Sequence, residues 1–131
     1  MPMPDHKELY EIAGDHNTPA EILEELAKDR HESVRRRVAK HANTPASVLE
    51  VLVKDKGLGV RAHVAANLNT SLALLEMLSK DKAEYYQDVR KNVAANPNTS
   101  VTFLEVLVKD KNEDVRRAVA ENPNCPDHLK P

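Results

Sequence analysis

The chain has 131 residues, 40% hydrophobic and 31% charged, with 19 basic against 21 acidic side chains and a formal charge of −2. That length suits one domain with a modest core, and so even a balance gives no global signature of a nucleic-acid or membrane binder. With 3% aromatics and no Trp, a stacking pocket is hard to build, the lone Cys125 excludes a disulfide framework or a cysteine-only metal cluster, and MPMPDHKELYE lacks an apolar leader, so a reducing cytoplasm is expected and no membrane.

The dipeptide Val-Arg sets the frame of the chain. It stands at Val34, Val60, Val89 and Val115, at spacings of 26, 29 and 26, and the octet LEVLVKDK recurs unchanged at 49–56 and 104–111. Units follow at about 8–33, 34–59, 60–88, 89–114 and 115–131, each reading as two short helices, within one domain 1–131. A single unit has too few apolar side chains to close a core, so the expected fold is all-α: an α-solenoid of about four and a half two-helix repeats of 26–29 residues.

The first unit lacks the Val-Arg but fits the frame. Its second helix is predicted to start with Thr18 as N-cap and Pro19 at the first helical position, and Thr18-x-x-Glu21 reads as a capping box. Ile22, Leu23 and Leu26 form its apolar arc, and Lys28 closes the last turn, where the helix dipole favours a cation. The second unit buries Val34 with Val38 on its first helix, followed by Ala39, small enough for close helix contact. Thr44 and Pro45 then open a helix with Val48, Leu49, Leu52 and Lys54. In the third unit Val60, Val64 and Ala65 take the first helix, and Asn67 ends it as a residue tolerant of left-handed backbone. Thr70, Leu74, Leu75, Leu78 and Lys80 take the second helix.

A three-residue insertion falls in AEYYQDV, 83–89. In a regular array an insertion maps to a surface loop, and tyrosine suits interfaces, so Tyr85 and Tyr86 are candidate partner-binding residues. The fourth unit repeats the scheme with Val89, Val93, Ala94, Asn96, Thr99, Phe103, Leu104, Leu107 and Lys109. The last has Val115, Val119, Ala120 and Asn122 and stops after a bare turn of second helix. Thin cover over Val115 and Val119 is expected there, so this end either pairs with something, a homodimer through the C-terminal end being one form, or frays.

Four polar columns run through the frame. On a helical wheel with Val34 at zero, Arg35 falls at about 100°, inside the apolar arc. The column Arg35, Arg61, Arg90 and Arg116 therefore needs partners, and Asp29, Asp55, Asp81 and Asp110, just upstream of each, suggest an Asp–Arg ladder stitching units together. Asn17, Asn43, Asn69, Asn98 and Asn124 sit in the inter-helix turn and suit backbone hydrogen bonds there. Arg36, Ala62, Lys91 and Arg117 fall at about 200° and face solvent. With Arg37, Lys40 and His41 they make a basic patch, so Arg36, Arg37, Lys91 and Arg117 are the candidates for phosphate contact with nucleic acid. Glu24, Glu50, Glu76 and Glu105 form an acidic stripe, each with a Lys four residues on, which reads as helix support.

Reactive chemistry is scarce. None of the six histidines shows His-x-x-x-His spacing, though His16 and His41 could approach each other. Cys125-Pro-Asp-His128 is the one nucleophile-like cluster, and Cys125 reads as a replacement for Thr at a helix N-terminus. No catalytic residue, metal ligand or cofactor is expected, and no enzyme.

The string Val-Arg-x-x-Val-Ala-x-Asn-Pro-Asn-Thr, best at Val89 to Thr99 and at Val115 to Asn124, followed by a Leu-rich helix and Lys-Asp, resembles the variant leucine-rich repeat, a HEAT-like family. The resemblance covers the chain from about Glu8. It implies paired short helices, one tight and 3₁₀-like, in a right-handed superhelix, and a scaffold with no shared reaction. Some members carry a cysteine-rich iron–sulfur segment, which the lone Cys125 cannot supply. The expected function is a non-enzymatic scaffold for an unknown protein partner, with nucleic-acid binding as the alternative.

Overall fold

A computed structural model describes residues 4–82 and 88–131. Among them are nine α-helices and no strand: α1 (His6–Gly14), α2 (Ala20–Leu26), α3 (Glu32–Lys40), α4 (Ala46–Leu52), α5 (Leu58–Ala66), α6 (Leu72–Ser79), α7 (Asp88–Ala95), α8 (Val101–Leu107) and α9 (Glu113–Glu121). A 3₁₀ turn follows at Asp127–Leu129. Both helices of each described pair are α-helical, so the tight, 3₁₀-like member that the resemblance implies is not seen in them. No helix among the described residues is long and apolar enough to cross a membrane.

Helices of seven to nine residues are marginal alone, so packing must hold them. The odd-numbered helices lie side by side as one layer, α1 on α3 on α5 on α7 on α9. Each even helix folds back against its odd neighbours, and the even helices touch one another far more lightly. The architecture is helical and repeat-like. The core runs unbroken along it: Val34, Val38, Val60, Val64, Val89, Val93, Val115 and Val119 are all fully buried. The expectation of thin cover over Val115 and Val119 is therefore wrong; half-buried Val108 and Leu129 pack against the same core. Ile22, expected inside, is 41% exposed, and Phe103 is only half-buried.

The helix ends depart from the sequence reading in an instructive way. Thr18, Thr44, Thr70 and Thr99 are buried and stand one residue before the N-cap. Each hydroxyl donates backward to a carbonyl six residues earlier, at Ile12, Val38, Val64 and Val93, over 2.5–2.6 Å. Threonine thus adds a second hydrogen bond to a carbonyl at the end of the odd helix that already accepts the amide three residues on. The N-caps are Pro19 and Pro45, which offer no side-chain bond, and Ser71 and Ser100, which accept from the amides of Leu74 and Phe103. The Thr18–Glu21 capping box does not form. Lys28, Lys54 and Lys109 fall beyond the last helical turn, and Lys80 is the C-cap of α6.

Candidate functional site

Three polar columns join each helix pair to its neighbour. Arg35 donates from Nε and Nη2 to the Asp55 carboxylate, at 2.7 and 3.2 Å, and from Nη1 to the Asp29 carbonyl at 2.9 Å. Arg90 repeats this on Asp110, at 2.8 and 3.3 Å, and on the Asp81 carbonyl at 2.8 Å. Arg61 reaches Asp81 at 2.9 Å and the Asp55 carbonyl at 2.7 Å. The ladder exists, but its carboxylate lies 20 residues downstream, while the upstream Asp contributes its backbone. Each Arg thereby ties the exit of one even helix to the exit of the next. Asp55 and Asp110 also accept the amides of Gly57 and Asn112, shaping the following loop.

Charge in this column is settled by partners rather than by water. Burial works to raise Asp55, yet the hydrogen bonds from Arg35 and the Gly57 amide outweigh it and hold the carboxyl below its ordinary value. Asp110 is lowered in the same balance by Arg90 and Asn112, and Arg35 is raised chiefly by its bond to Asp55. At the N-terminal end Leu9 occupies the equivalent of the Arg position. Asp29 there takes the amide of His31 at 2.8 Å and its ring Nδ1 at 3.0 Å, and the His31 ring stacks on His6 at 3.8 Å. Burial again opposes, and the His31 bonds prevail, so Asp29 too is lowered.

The second column is Asn67, Asn96 and Asn122. No described residue has positive φ, so these asparagines do not end helices by left-handed backbone. They work through their side chains. Each Nδ2 donates to two carbonyls of the preceding helix pair: Ala39 and His41, Ala65 and Asn67, Ala94 and Asn96, over 2.7–3.2 Å. Each Oδ1 accepts the amide two residues on. In the third column, Asn43, Asn69, Asn98 and Asn124 donate to carbonyls of the preceding turn, at His16, Ala42, Leu68 and Pro97. The turn reading of that column holds, and the bonds additionally cross between pairs. Every buried side-chain nitrogen and oxygen among the described residues has a partner.

The sequence candidates for function are placed as follows. Tyr85 and Tyr86 lie outside the described residues. Arg37 is half-buried, stacks 3.6 Å over the Tyr10 ring and donates to the Tyr10 carbonyl at 3.1 Å. Arg36 stands 3.7 Å from Glu32, and Arg117 binds Glu113 and Asp114 at 3.0 and 3.2 Å. Lys91 is exposed. Ala62, expected on the solvent side of the same column, is buried, because α7 packs close enough for Asn92 to donate to its carbonyl at 2.8 Å. The basic column is thus interrupted at α5, and of the four candidates Arg36 and Arg117 stand against carboxylates.

Cys125 takes the place of the inward threonine rather than an N-cap: it is buried and its thiol points to the Pro126 carbonyl, while His128 is exposed. His16 and His41 line one cleft, but both His41 nitrogens are occupied by backbone. Among the described residues no three His, Cys, Asp or Glu side chains converge to hold a metal ion.

One exposed apolar row escaped the sequence reading. Val51 on α4, Met77 on α6 and Val106 on α8 are 64%, 48% and 61% exposed. They stand 26 and 29 residues apart, at one repeat position, and Glu25 fills that position on α2. The recurrence was the available signal; it was hidden because Val51 and Val106 lie inside the octet whose leucines face the core. Beside the stripe, the expected neutralisation of Glu by Lys is seen among the described residues only at Glu76–Lys80, 3.6 Å apart. Glu24, Glu50 and Glu105 stay exposed, with no ion pair among the described residues.

Comparison with family models, curated proteins and solved structures gives no match to this chain.

Proposed function

We propose that the chain is a right-handed α-solenoid of about four and a half two-helix repeats, of the variant leucine-rich kind. In this reading it serves as a non-enzymatic, cytoplasmic scaffold that binds a protein partner across its even helices. The observation that carries the reading is the row Val51, Met77 and Val106, unburied at equivalent positions of three successive even helices. Adjacent helices lie about 8–10 Å apart. Seven residues of α-helix rise about 10 Å. The partner that fits is therefore an amphipathic helix with apolar anchors seven residues apart, its flanks basic to meet Glu24, Glu50 and Glu105. The buried polar seams leave the even layer free of structural duty on its outer side. Tyr85 and Tyr86 extend the same proposal.

The test is a displayed-peptide selection on the immobilised chain, scored against Val51→Glu/Met77→Glu/Val106→Glu. Selected peptides should show apolar residues seven apart and lose at least tenfold in affinity on the triple variant. Peptides that bind both proteins equally would sink the reading.

A second reading, nucleic-acid contact through Arg36, Arg37, Lys91 and Arg117, draws on one observation. Burial lowers the His63 pKa, and the nearby Lys40 and Arg36 charges lower it further, the mark of a local positive field at α3 and α5. Anisotropy of labelled single- and double-stranded DNA, at low and at physiological salt, checks it. Binding lost in Arg36→Glu/Arg117→Glu would favour it, and no binding at low salt would remove it.

A further inference from the structure

In three successive seams the same job is done by Asn67, Asn96 and Asn122. In the first seam it is done by His41, which is 8% exposed. Its Nε2 faces the Asp15 carbonyl at 2.7 Å and its Nδ1 faces the Asn43 amide at 2.9 Å. A carbonyl can only accept and an amide N–H can only donate, so these partners dictate one neutral tautomer, with the proton on Nε2 and the lone pair on Nδ1. The asparagine it replaces has the same two functions, donor and acceptor, but cannot titrate.

We propose that His41 makes the seam between the α1–α2 and α3–α4 pairs an acid-sensitive joint, where the later seams carry an asparagine that does not titrate. Protonation puts a second N–H on Nδ1, pointing at the Asn43 N–H. The acceptor is lost, two donors face each other, and the ring must leave the seam or the Asn43 turn must open. The Asn43 side chain also fastens this turn to the His16 carbonyl, at 3.1 Å, so movement there releases a second bond across the same seam. The charged surroundings are known from each element packed on the ring. His16 from the α1–α2 turn and Arg37 and Lys40 from α3 line its cleft. From α5, Asn67 donates to the His41 carbonyl at 3.0 Å, and His63 stands near Lys40. The Asp15 carboxylate, on the residue whose carbonyl the ring faces, accepts the Asn17 amide at 2.9 Å. The cations oppose a third positive charge within the seam, so an imidazolium is better accommodated by ring release into water than by staying in place.

The consequence is directional. At neutral pH the first pair is docked like the others; once the ring is protonated the pair loosens while the later seams keep their asparagine bonds.

Amide exchange by NMR on the full chain tests this. The protection factor of the Asn43 amide should fall at least tenfold between pH 7.5 and pH 5. Those of Asn69 and Asn98, bonded to Asn67 and Asn96 in the same way, should hold within twofold. His41→Asn, which installs the residue the other seams use, should abolish the fall at Asn43. Should that variant not fold, the imidazole nitrogen shifts of the wild-type protein decide. They should report a proton on Nε2 alone at pH 7.5 and the gain of one on Nδ1 together with loss of protection at Asn43. Constant Asn43 protection down to pH 5, an Nδ1-protonated tautomer at neutral pH, or an equal fall in His41→Asn would each overturn the proposal.

Discussion

Replacing Arg90 by Met removes a guanidinium whose side chain is 9% exposed, against an Asp110 side chain 10% exposed. Three hydrogen bonds go: two to Asp110 and one to the Asp81 carbonyl. Breaking a buried pair by deleting one partner costs about 3–5 kcal/mol, mostly because the surviving charge is stranded. Asp110 retains the Asn112 amide and some contact with water, which places the expected loss at the lower end, about 3 kcal/mol. At about 3 °C per kcal/mol for a chain of this size, Tm should drop by about 10 °C. Urea titration followed by far-UV circular dichroism measures it. Two companions sharpen the test. Arg116 is exposed and, among the described residues, bonds the Asp110 carbonyl alone, so Arg116→Met should cost less than about 1 kcal/mol. Arg90→Met/Asp110→Leu should recover about half of the single-variant loss, because no charge is left stranded. If Arg90→Met costs no more than Arg116→Met, the ladder does not hold the pairs together.

Three other outcomes follow from the seams. Asn96→Asp keeps the acceptor for the Asn98 amide but sets a carboxylate against the Ala65 and Asn67 carbonyls. It should cost at least about 2–3 kcal/mol by urea titration, while Asn96→His, the arrangement at His41, should cost clearly less. Cys125→Thr restores the hydroxyl of the other units; by donating to the Val119 carbonyl it should raise stability by about 0.5–1.5 kcal/mol, read as a higher Tm. Asp55 and Asp110 are lowered in the folded state, so their contribution is complete above the unfolded carboxyl value of about 3.9 and is lost as pH falls through their lower folded values. Urea midpoints measured down to pH 3 should fall steeply below about pH 4, and less steeply in Asp55→Asn.

The valine pairs were legible in the sequence because a 3.6-residue period reports which side of a helix is inside, and all eight valines are buried. The Asp–Arg ladder was legible in kind because an arginine placed inside an apolar arc demands an anion. Its pairing was not, since sequence proximity favoured the Asp six to nine residues upstream over the one 20 residues downstream that folding brings to it. The threonines misled for a related reason. Thr followed by Pro is a sound helix start, but burial turned the hydroxyl toward the preceding helix, and its strongest available acceptor lay there. Ala62 shows the limit of a wheel drawn for one helix: its outward face is inward once α7 lies beside it. His41 was read as part of a basic patch, and nothing short of the Asp15 and Asn43 distances reveals it as a stand-in for asparagine.

The asparagine bonds all point one way. Asn43, Asn67, Asn69, Asn96, Asn98, Asn122 and Asn124 each donate to carbonyls earlier in the chain. Each new pair of helices therefore arrives with the donors that fasten it, onto acceptors that already exist. During synthesis from the N-terminus a finished pair never waits on later residues for its own asparagine bonds, and the array can set behind the ribosome seam by seam. A stalled nascent chain exposed only to residue 82 should already resist brief proteolysis at the His41 and Asn67 seams, and rapid cleavage there would show that order of assembly to be wrong.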